Sequence, residues 1–385
     1  MRARLAPLSF GNFVVGTGGF IVAGLLNELT ADLQVSIVVA GQLLTGYSLA
    51  LAIGAPLLAW LTTRIDRRTL LTGCLFIYAL LHCAAALAPG YGWLAVLRVL
   101  TGAVAAIVTP QAVATAGLMV KPEERGSAIG TVFLGFSLSS VLGVPLGSLI
   151  GAHYGWRVAF WMIGGLSMAG AAWMWLTIPA RLYVAPMDRQ AWTKLGSNPV
   201  VLLLVATTVV HATGQFALFS YLAPALKEAI AASPRMVSMV FLWFGVAGVI
   251  GNMVAVKFIN RLGSPLIILV SMGSMLAGLM VWSFAHGSLA GVLASILLWG
   301  LGCFATNMSQ QARLVAVAPS LASASVALNS SAIYLGQALG SVSGGVMIGF
   351  SGMHDLNWLG ALLMAVAIGM AVWTGRLTAR QAAAA

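Results

Sequence analysis

Residues able to hold a charge or move a proton are scarce in this chain. Across 385 residues there are eight carboxylates (Glu28, Asp32, Asp66, Glu123, Glu124, Asp188, Glu228, Asp355), nineteen Lys and Arg, and five His. No His/Asp/Glu cluster has metal-ligand spacing, no serine stands beside a matched base, and no Gly-x-x-x-x-Gly-Lys phosphate loop occurs. An enzyme is therefore not expected, nor a metal or other cofactor. Cys74, Cys83 and Cys303 lie in apolar runs without ligand-like spacing and read as packing residues. Two side chains stand out because they sit inside long apolar runs: Arg98 and His211. An arginine in hydrocarbon costs about 2.5 to 3.5 kcal/mol on the translocon scale, so it normally faces a cavity or a partner; snorkelling to nearby headgroups is its alternative. Histidine titrates near 6.5, which suits proton exchange, and Gln215 lies one turn beyond His211 on the same helical face. A hydrogen-bonded structural histidine is the alternative there, and His82 is read as structural and peripheral.

The elements that must position these groups follow from composition. Apolar residues make up 60% of the chain and charged ones 7%, glycine numbers 44, and mean hydropathy is +0.99. Soluble proteins average about 25% charged residues, so the surface this chain offers suits lipid rather than water. The net charge of +11 forms no basic face, and a nucleic-acid partner is not expected. The basic start resembles a signal peptide, yet a clear cleavage site is lacking, so an uncleaved first span is expected.

Polar punctuation divides the chain into twelve runs of the length a bilayer requires. They are Pro7 to Glu28, Ile37 to Thr62, Thr69 to Ala88, Trp93 to Val120, Ser127 to Ala152, Arg157 to Ile178, Pro199 to Leu226, Met236 to Val256, Ser264 to Ala285, Leu289 to Gln311, Leu321 to Phe350 and Trp358 to Thr374. Continuous runs this long argue against a β-barrel. With the N-terminus inside, fifteen Lys and Arg face inward and only Arg157, Lys227 and Arg235 outward, leaving Arg98 as the charge within a span. Both termini are thus expected in the cytoplasm. Trp93, Trp156 and Trp358 sit at span ends, as an interfacial belt requires.

The polar stretch from Pro179 to Asn198 cuts the spans six and six, predicting bundles 1–178 and 199–385 joined by a cytoplasmic linker, 179–198. An internal repeat agrees: GVPLG at Gly143 to Gly147 matches GSVSG at Gly340 to Gly344, an offset of 197, and Pro122 maps onto Pro319 at the same spacing. Parallel repeats of this kind mark transporters whose substrate site lies between the halves.

GTGGFIVAGLLNELTADLQVS, GYSLALAIGAPLLAWLTTRIDRR, RVLTG, GVPLG followed by YGWRVAF, and SYLAPAL, taken in order, resemble the major facilitator superfamily, in particular its twelve-span bacterial drug and sugar efflux branch. The resemblance covers nearly the whole chain. It implies an all-α membrane protein of two pseudo-symmetric six-helix bundles in the bacterial inner membrane, a small-molecule substrate, protons as the coupling ion and a monomeric state. The loop after the second span resembles the family's Gly-x-x-x-Asp-Arg-x-Gly-Arg-Arg motif through Arg64, Arg67 and Arg68, but Ala59, Thr63 and Asp66 depart from it. Asp66 is a substitute carboxylate, and Glu123 and Glu124, beside Arg125, are candidate counter-charges for a gating latch; the alternative is a plain positive-inside loop. Arg98 matches the family's fourth-span arginine, which the resemblance links to proton coupling. Gly143, Pro145 and Gly147, with Gly135 two turns earlier, match the fifth-span element that in exporters bends the helix and seals the gap between halves.

Related efflux proteins often carry a glutamate one residue before the Phe20 position, where this chain has Gly19. The carboxylates all fall at span ends or in loops, so His211 becomes the leading proton site and Glu28, near the outer mouth, the alternative. Candidate cavity residues are Gln42, Tyr47, Gln111, Gln215, Tyr221, Asn307, Gln310, Asn329, Tyr334 and Gln337. Amides and aromatics without a fixed carboxylate should favour neutral, anionic or amphipathic solutes over organic cations. The expectation is a proton-coupled exporter, with a passive facilitator or uptake transporter of the same fold as the alternative, and a membrane enzyme or sensor remote.

Overall fold

Backbone groups in hydrocarbon must be satisfied within their own segment, and long apolar runs therefore form helices. A computed structural model describes residues 2–121, 124–183, 196–318 and 321–384; among them there is no strand, and twelve helical stretches are long and apolar enough to cross a membrane. The expected pairing of Pro122 with Pro319, Glu123, and residues 184–195 of the expected linker lie outside the described residues.

The chain forms two compact units, one of Met1–Pro186 with Ser233–Leu242, the other of Met187–Ala232 with Trp243–Ala385. The first contains α1 (Arg2–Gly24), α2 (Leu26–Leu33), α3 (Ile37–Leu61), α4 (Arg67–Ala86), α5 (Tyr91–Leu118), α6 (Arg125–Leu138), α7 (Val144–Tyr154) and α8 (Trp156–Thr177). The second contains α9 (Pro199–Phe219), α10 (Leu222–Ile230), most of α11 (Pro234–Leu262), α12 (Ser264–Trp282), α13 (Leu289–Val317), α14 (Ala322–Ser351) and α15 (Leu356–Ala384). Ser238, in the first turns of α11, donates to the Pro145 carbonyl at 2.8 Å within the first unit.

Several span ends differ from the sequence reading. The first span stops at Gly24, and Glu28 belongs to the separate helix α2. The seventh stops at Phe219, leaving Tyr221 at the entry to α10. The two breaks occupy equivalent places and are held alike: Ser148 Oγ donates to the Gly24 carbonyl at 2.9 Å, and Tyr221 Oη donates to the Ser341 carbonyl at 2.8 Å. Hydropathy runs through these breaks because the side chains beyond them are apolar too. Arg313, read from sequence as a loop residue, is 3% exposed inside α13, where Nη1 donates to the Ala371 carbonyl at 3.3 Å. Arg98 is thus not the single charge within a span. Trp156 is not an interfacial anchor but buried, its indole donating to Asp32 at 2.9 Å.

Between α6 and α7 the helix widens into a π turn, Ser139–Gly143, with the Val144 amide reaching back to the Ser139 carbonyl. Pro145 lacks the amide that the ordinary i→i−4 ladder needs, and the wider turn absorbs that loss. Glycines then let helices pack closely, against backbone at one position and side chains at two. A Cβ on Gly135 would lie 1.8 Å from the Ser9 carbonyl, on Gly143 1.9 Å from Thr17 Oγ1, and on Gly147 2.5 Å from Ile21 Cδ1. The second unit repeats the device on α14 against α9: Cβ atoms on Gly340 and Gly344 would lie 2.6 and 2.5 Å from the Thr213 and Ala217 carbonyls. The glycine stripe of each unit therefore packs on that unit's own first helix.

Candidate functional site

In the first unit four polar side chains converge on two adjacent glycines of α1. Gly18 and Gly19 present bare backbone there: a Cβ on Gly18 would lie 2.3 Å from Tyr78 Oη and 2.9 Å from His82 Nε2, and one on Gly19 would lie 3.1 Å from Tyr47 Oη. Arg98, carried in by α5, donates from Nη1 to the Gly18 carbonyl at 2.9 Å and from Nη2 to the Gly19 carbonyl at 3.2 Å. Its Cζ lies 4.3 Å from the centroid of the Tyr47 ring, a cation–π contact. Tyr47 and Tyr78 share a side-chain hydrogen bond, and Tyr78 Oη also donates to the Val15 carbonyl at 3.3 Å. His82 Nδ1 lies 3.0 Å from the Tyr78 carbonyl. A carbonyl only accepts, so this ring nitrogen carries a hydrogen, and Nε2 has no hydrogen-bond partner.

Arg98 is 1% exposed, which excludes snorkelling. Its guanidinium is held by carbonyl dipoles and a ring face rather than by a carboxylate, and Nε has no hydrogen-bond partner. His82, expected at the periphery, is fully buried against α1 and Phe160. Sequence reasoning missed Tyr78 as a member of this group and missed Asn12. The amide of Asn12 ties three helices together by donating to the Val132 carbonyl at 3.2 Å and accepting from Thr109 at 2.7 Å. A polar residue inside an apolar span is a signal that could have pointed to Asn12; nothing in the sequence pointed to Thr109 as its partner.

The second unit holds a polar seam between α9, α13 and α14. Gln310 Nε2 donates to the Leu204 carbonyl at 2.8 Å, Thr208 Oγ1 donates to Asn329 Oδ1 at 2.8 Å, and Gln215 Nε2 lies 2.9 Å from Cys303 Sγ. His211 lies between the last two on α9, fully buried, with neither ring nitrogen in a hydrogen bond. Asn307 Oδ1 and Gln310 Oε1 are likewise buried without partners. Gln337 is buried on α14 and Tyr334 half-buried. The remaining cavity candidates are dispersed in the first unit: Gln42 is spent within α3, bonding Val38 and Thr45, and Gln111 is buried on α5. Glu28 is half-buried on α2.

In the α3–α4 turn Asp66 is engaged by local backbone. Asp66 caps α4 by accepting from the Thr69 amide at 3.2 Å and takes the Leu182 amide at 2.8 Å, while the Arg67 amide donates to the Leu182 carbonyl at 2.9 Å. Burial acts to raise the pKa of Asp66, but the bonds from Thr69, Leu182 and Arg181 together hold it below the usual carboxylate range. Arg64, Arg67, Arg68 and Arg125 make no ion pair with Glu124 among the described residues. On the opposite end, Asp32 accepts from Arg157 and Trp156, and the Arg157 bond first, then the Trp156 bond, lower its pKa. Arg157 also donates to the Ala88 carbonyl at 3.3 Å, joining α2, α8 and the α4–α5 turn.

Residues 8–223 match the family model described as Major Facilitator Superfamily. The chain belongs to this superfamily. It is 32% identical over 376 residues to the MFS-type transporter YtbD of Bacillus subtilis, covering 96% of this chain and 94% of that protein. It is 30% identical to the inner membrane transport protein YdhP of Escherichia coli K12, covering 94% of each. A protein of Helicobacter pylori named "Probable sugar efflux transporter" is 25% identical, covering 95% of this chain and 93% of its own length. The fold is similar to that of a bacterial homologue of the human lysosomal transporter Spinster in its occupied form, with TM-score 0.79, 16% identity and coverage of 97% and 96%. As a major facilitator protein the chain is a multi-pass membrane transporter, not an enzyme.

Proposed function

We propose that this chain exports small organic solutes of neutral or anionic character across the bacterial inner membrane by alternating access, with both termini cytoplasmic. The observation that carries the reading is the Arg98 site. A buried cation rests on the Gly18 and Gly19 carbonyls with no carboxylate beside it, and the eight acids of the chain stand outside the apolar middles of the spans. A fixed positive charge in low dielectric repels cations and attracts anions. The sugar-efflux name of a relative supports a hydroxylated neutral solute, and the buried, unpaired amide oxygens and imidazole of the second unit are donors and acceptors suited to hydroxyl groups.

His211 is the proposed proton site, because it is a titratable group deep in a span whose ring nitrogens are unclaimed. Gly19 in place of a glutamate favours a second reading, an uncoupled facilitator. Proteoliposomes loaded with radiolabelled sugars, organic anions or lipophilic cations separate the two. Coupled export predicts flux of the first two classes that rises with an imposed pH gradient and loses that response in His211→Gln. Flux indifferent to the gradient selects the facilitator, and selective transport of lipophilic dications rejects the charge argument.

A further inference from the structure

Arg68 occupies a site that the transport reading leaves unused. It stands in the first turn of α4, and its guanidinium carbon lies 4.1 Å from the centroid of the Trp175 ring, in the last turn of α8. That stack is its sole specific contact: Nε is buried without a hydrogen-bond partner, and no ion pair or hydrogen bond holds the other two nitrogens among the described residues. The neighbouring charge is mostly positive, and among the described residues none of it is in an ion pair. Arg64 and Arg67 precede it, Arg67 has Nε and Nη1 buried without partners, and Arg181 adjoins Leu182, which is bonded to Asp66 and Arg67. Asp66, the carboxylate of this turn among the described residues, is spent on Thr69 and on the amides of residues 181 and 182.

The surroundings of this cation are hydrocarbon-compatible on one side. Phe76, Ile77 and Leu80 of α4 and Trp161, Trp173 and Leu176 of α8 are large apolar side chains left 41% to 80% exposed, a surface suited to acyl chains. Arg68 and Trp175 lie where the spans Arg67–Ala86 and Trp156–Thr177 begin and end, the places where a spanning helix meets the headgroup region. A guanidinium resting over an indole keeps its two terminal nitrogens available for the two oxygens of a phosphate.

We propose that Arg68, stacked on Trp175, binds the phosphate of an anionic phospholipid headgroup, with the lipid's chains lying along the exposed face of α4 and α8. The site is separate from Arg98 and His211 and does not depend on the solute carried.

Native mass spectrometry of the purified full chain, titrated with phosphatidylglycerol or phosphatidylcholine, tests it. Removing one basic contact to an anionic lipid is worth about fivefold in affinity, so the wild type should retain phosphatidylglycerol about fivefold better than Arg68→Gln, with phosphatidylcholine bound equally by both. Arg68→Lys, which keeps charge without the planar fork, should fall between them, and Trp175→Leu should weaken phosphatidylglycerol binding while leaving Arg68 in place. Thermal unfolding in detergent supplies the second arm: phosphatidylglycerol should raise the midpoint of wild type and not of Arg68→Gln, whereas inorganic phosphate and glycerol phosphate at millimolar concentration should not. Equal retention of the two lipids, an unchanged preference in both Arg68→Gln and Trp175→Leu, or stabilisation by free phosphate matching that of the lipid would overturn the proposal.

Discussion

Arg98 illustrates how a charge is tolerated in a span without an opposite charge. Two carbonyls of α1 already engaged in their own helix accept a second bond each, since a carbonyl oxygen has two lone pairs, and Tyr47 supplies a negative ring face. The arrangement depends on the planar fork of arginine and on the bare backbone at residues 18 and 19. Arg98→Lys should therefore lower transport by at least about tenfold, the worth of one charge-assisted hydrogen bond, while leaving helix content by circular dichroism unchanged. Gly18→Ala places a methyl within reach of Tyr78 Oη and His82 Nε2. Overpacking of this kind costs about 1 to 3 kcal/mol, which scanning fluorimetry should register as a lower unfolding midpoint. Retention of full flux by Arg98→Lys would show that charge alone, and not the fork, is what the site needs.

At the level of helices, glycine decides how closely α1 meets α6 and α7, and how closely α9 meets α14, but only some glycines act this way. A Cβ at Gly302 of α13 would lie 2.2 Å from the Ser271 carbonyl of α12, and one at Gly251 of α11 1.9 Å from the Leu301 carbonyl of α13. Backbone cannot step aside as a flexible side chain can, so Gly302→Ala and Gly251→Ala should each destabilise by about 1 to 3 kcal/mol or more. Gly273, with nothing within 4 Å of its added Cβ, offers the opposite case in α12. There alanine recovers helix propensity, and Gly273→Ala should be neutral or more stable by up to about 1 kcal/mol. A parallel fall in melting temperature for all three variants would mean that the contacts at residues 251 and 302 are not what distinguishes them. The π turn before Pro145 belongs to the same scale: it stores the accommodation of a proline in one widened turn and lets α7 continue toward Tyr154.

For the whole molecule, the distribution of Lys and Arg is the strongest statement about orientation, because translocation of basic loops is disfavoured. A single cysteine at Ser197 should react with a membrane-impermeant maleimide only in inside-out vesicles, and one at Lys227 or Gly287 only in intact cells, measured against the native Cys74, Cys83 and Cys303 background. Labelling of residue 197 from outside would invert the proposed topology and with it the direction of export. The two units echo each other in their broken first helices and glycine stripes, as expected of a repeat in which each copy must satisfy the same backbone problem.

How much of this was legible depends on the range of the signal. Hydropathy is a local sum over some twenty residues, so the membrane class and the number of spans could be read directly, and the ordered motifs led to the family. Span ends at Gly24 and Phe219 escaped, since a helix break between apolar residues leaves hydropathy unchanged. Arg98 and His211 were visible as polar residues in apolar runs, but their surroundings were not. A backbone carbonyl has no letter of its own, so Gly18 and Gly19 as the partners of a residue some eighty positions away had no signature. The sequence by itself determined that a buried charge must be answered; only the packing of α1, α3, α4 and α5 decided that carbonyls and a tyrosine ring answer it, because which groups meet across helices is set by the fit of whole surfaces rather than by any local pattern.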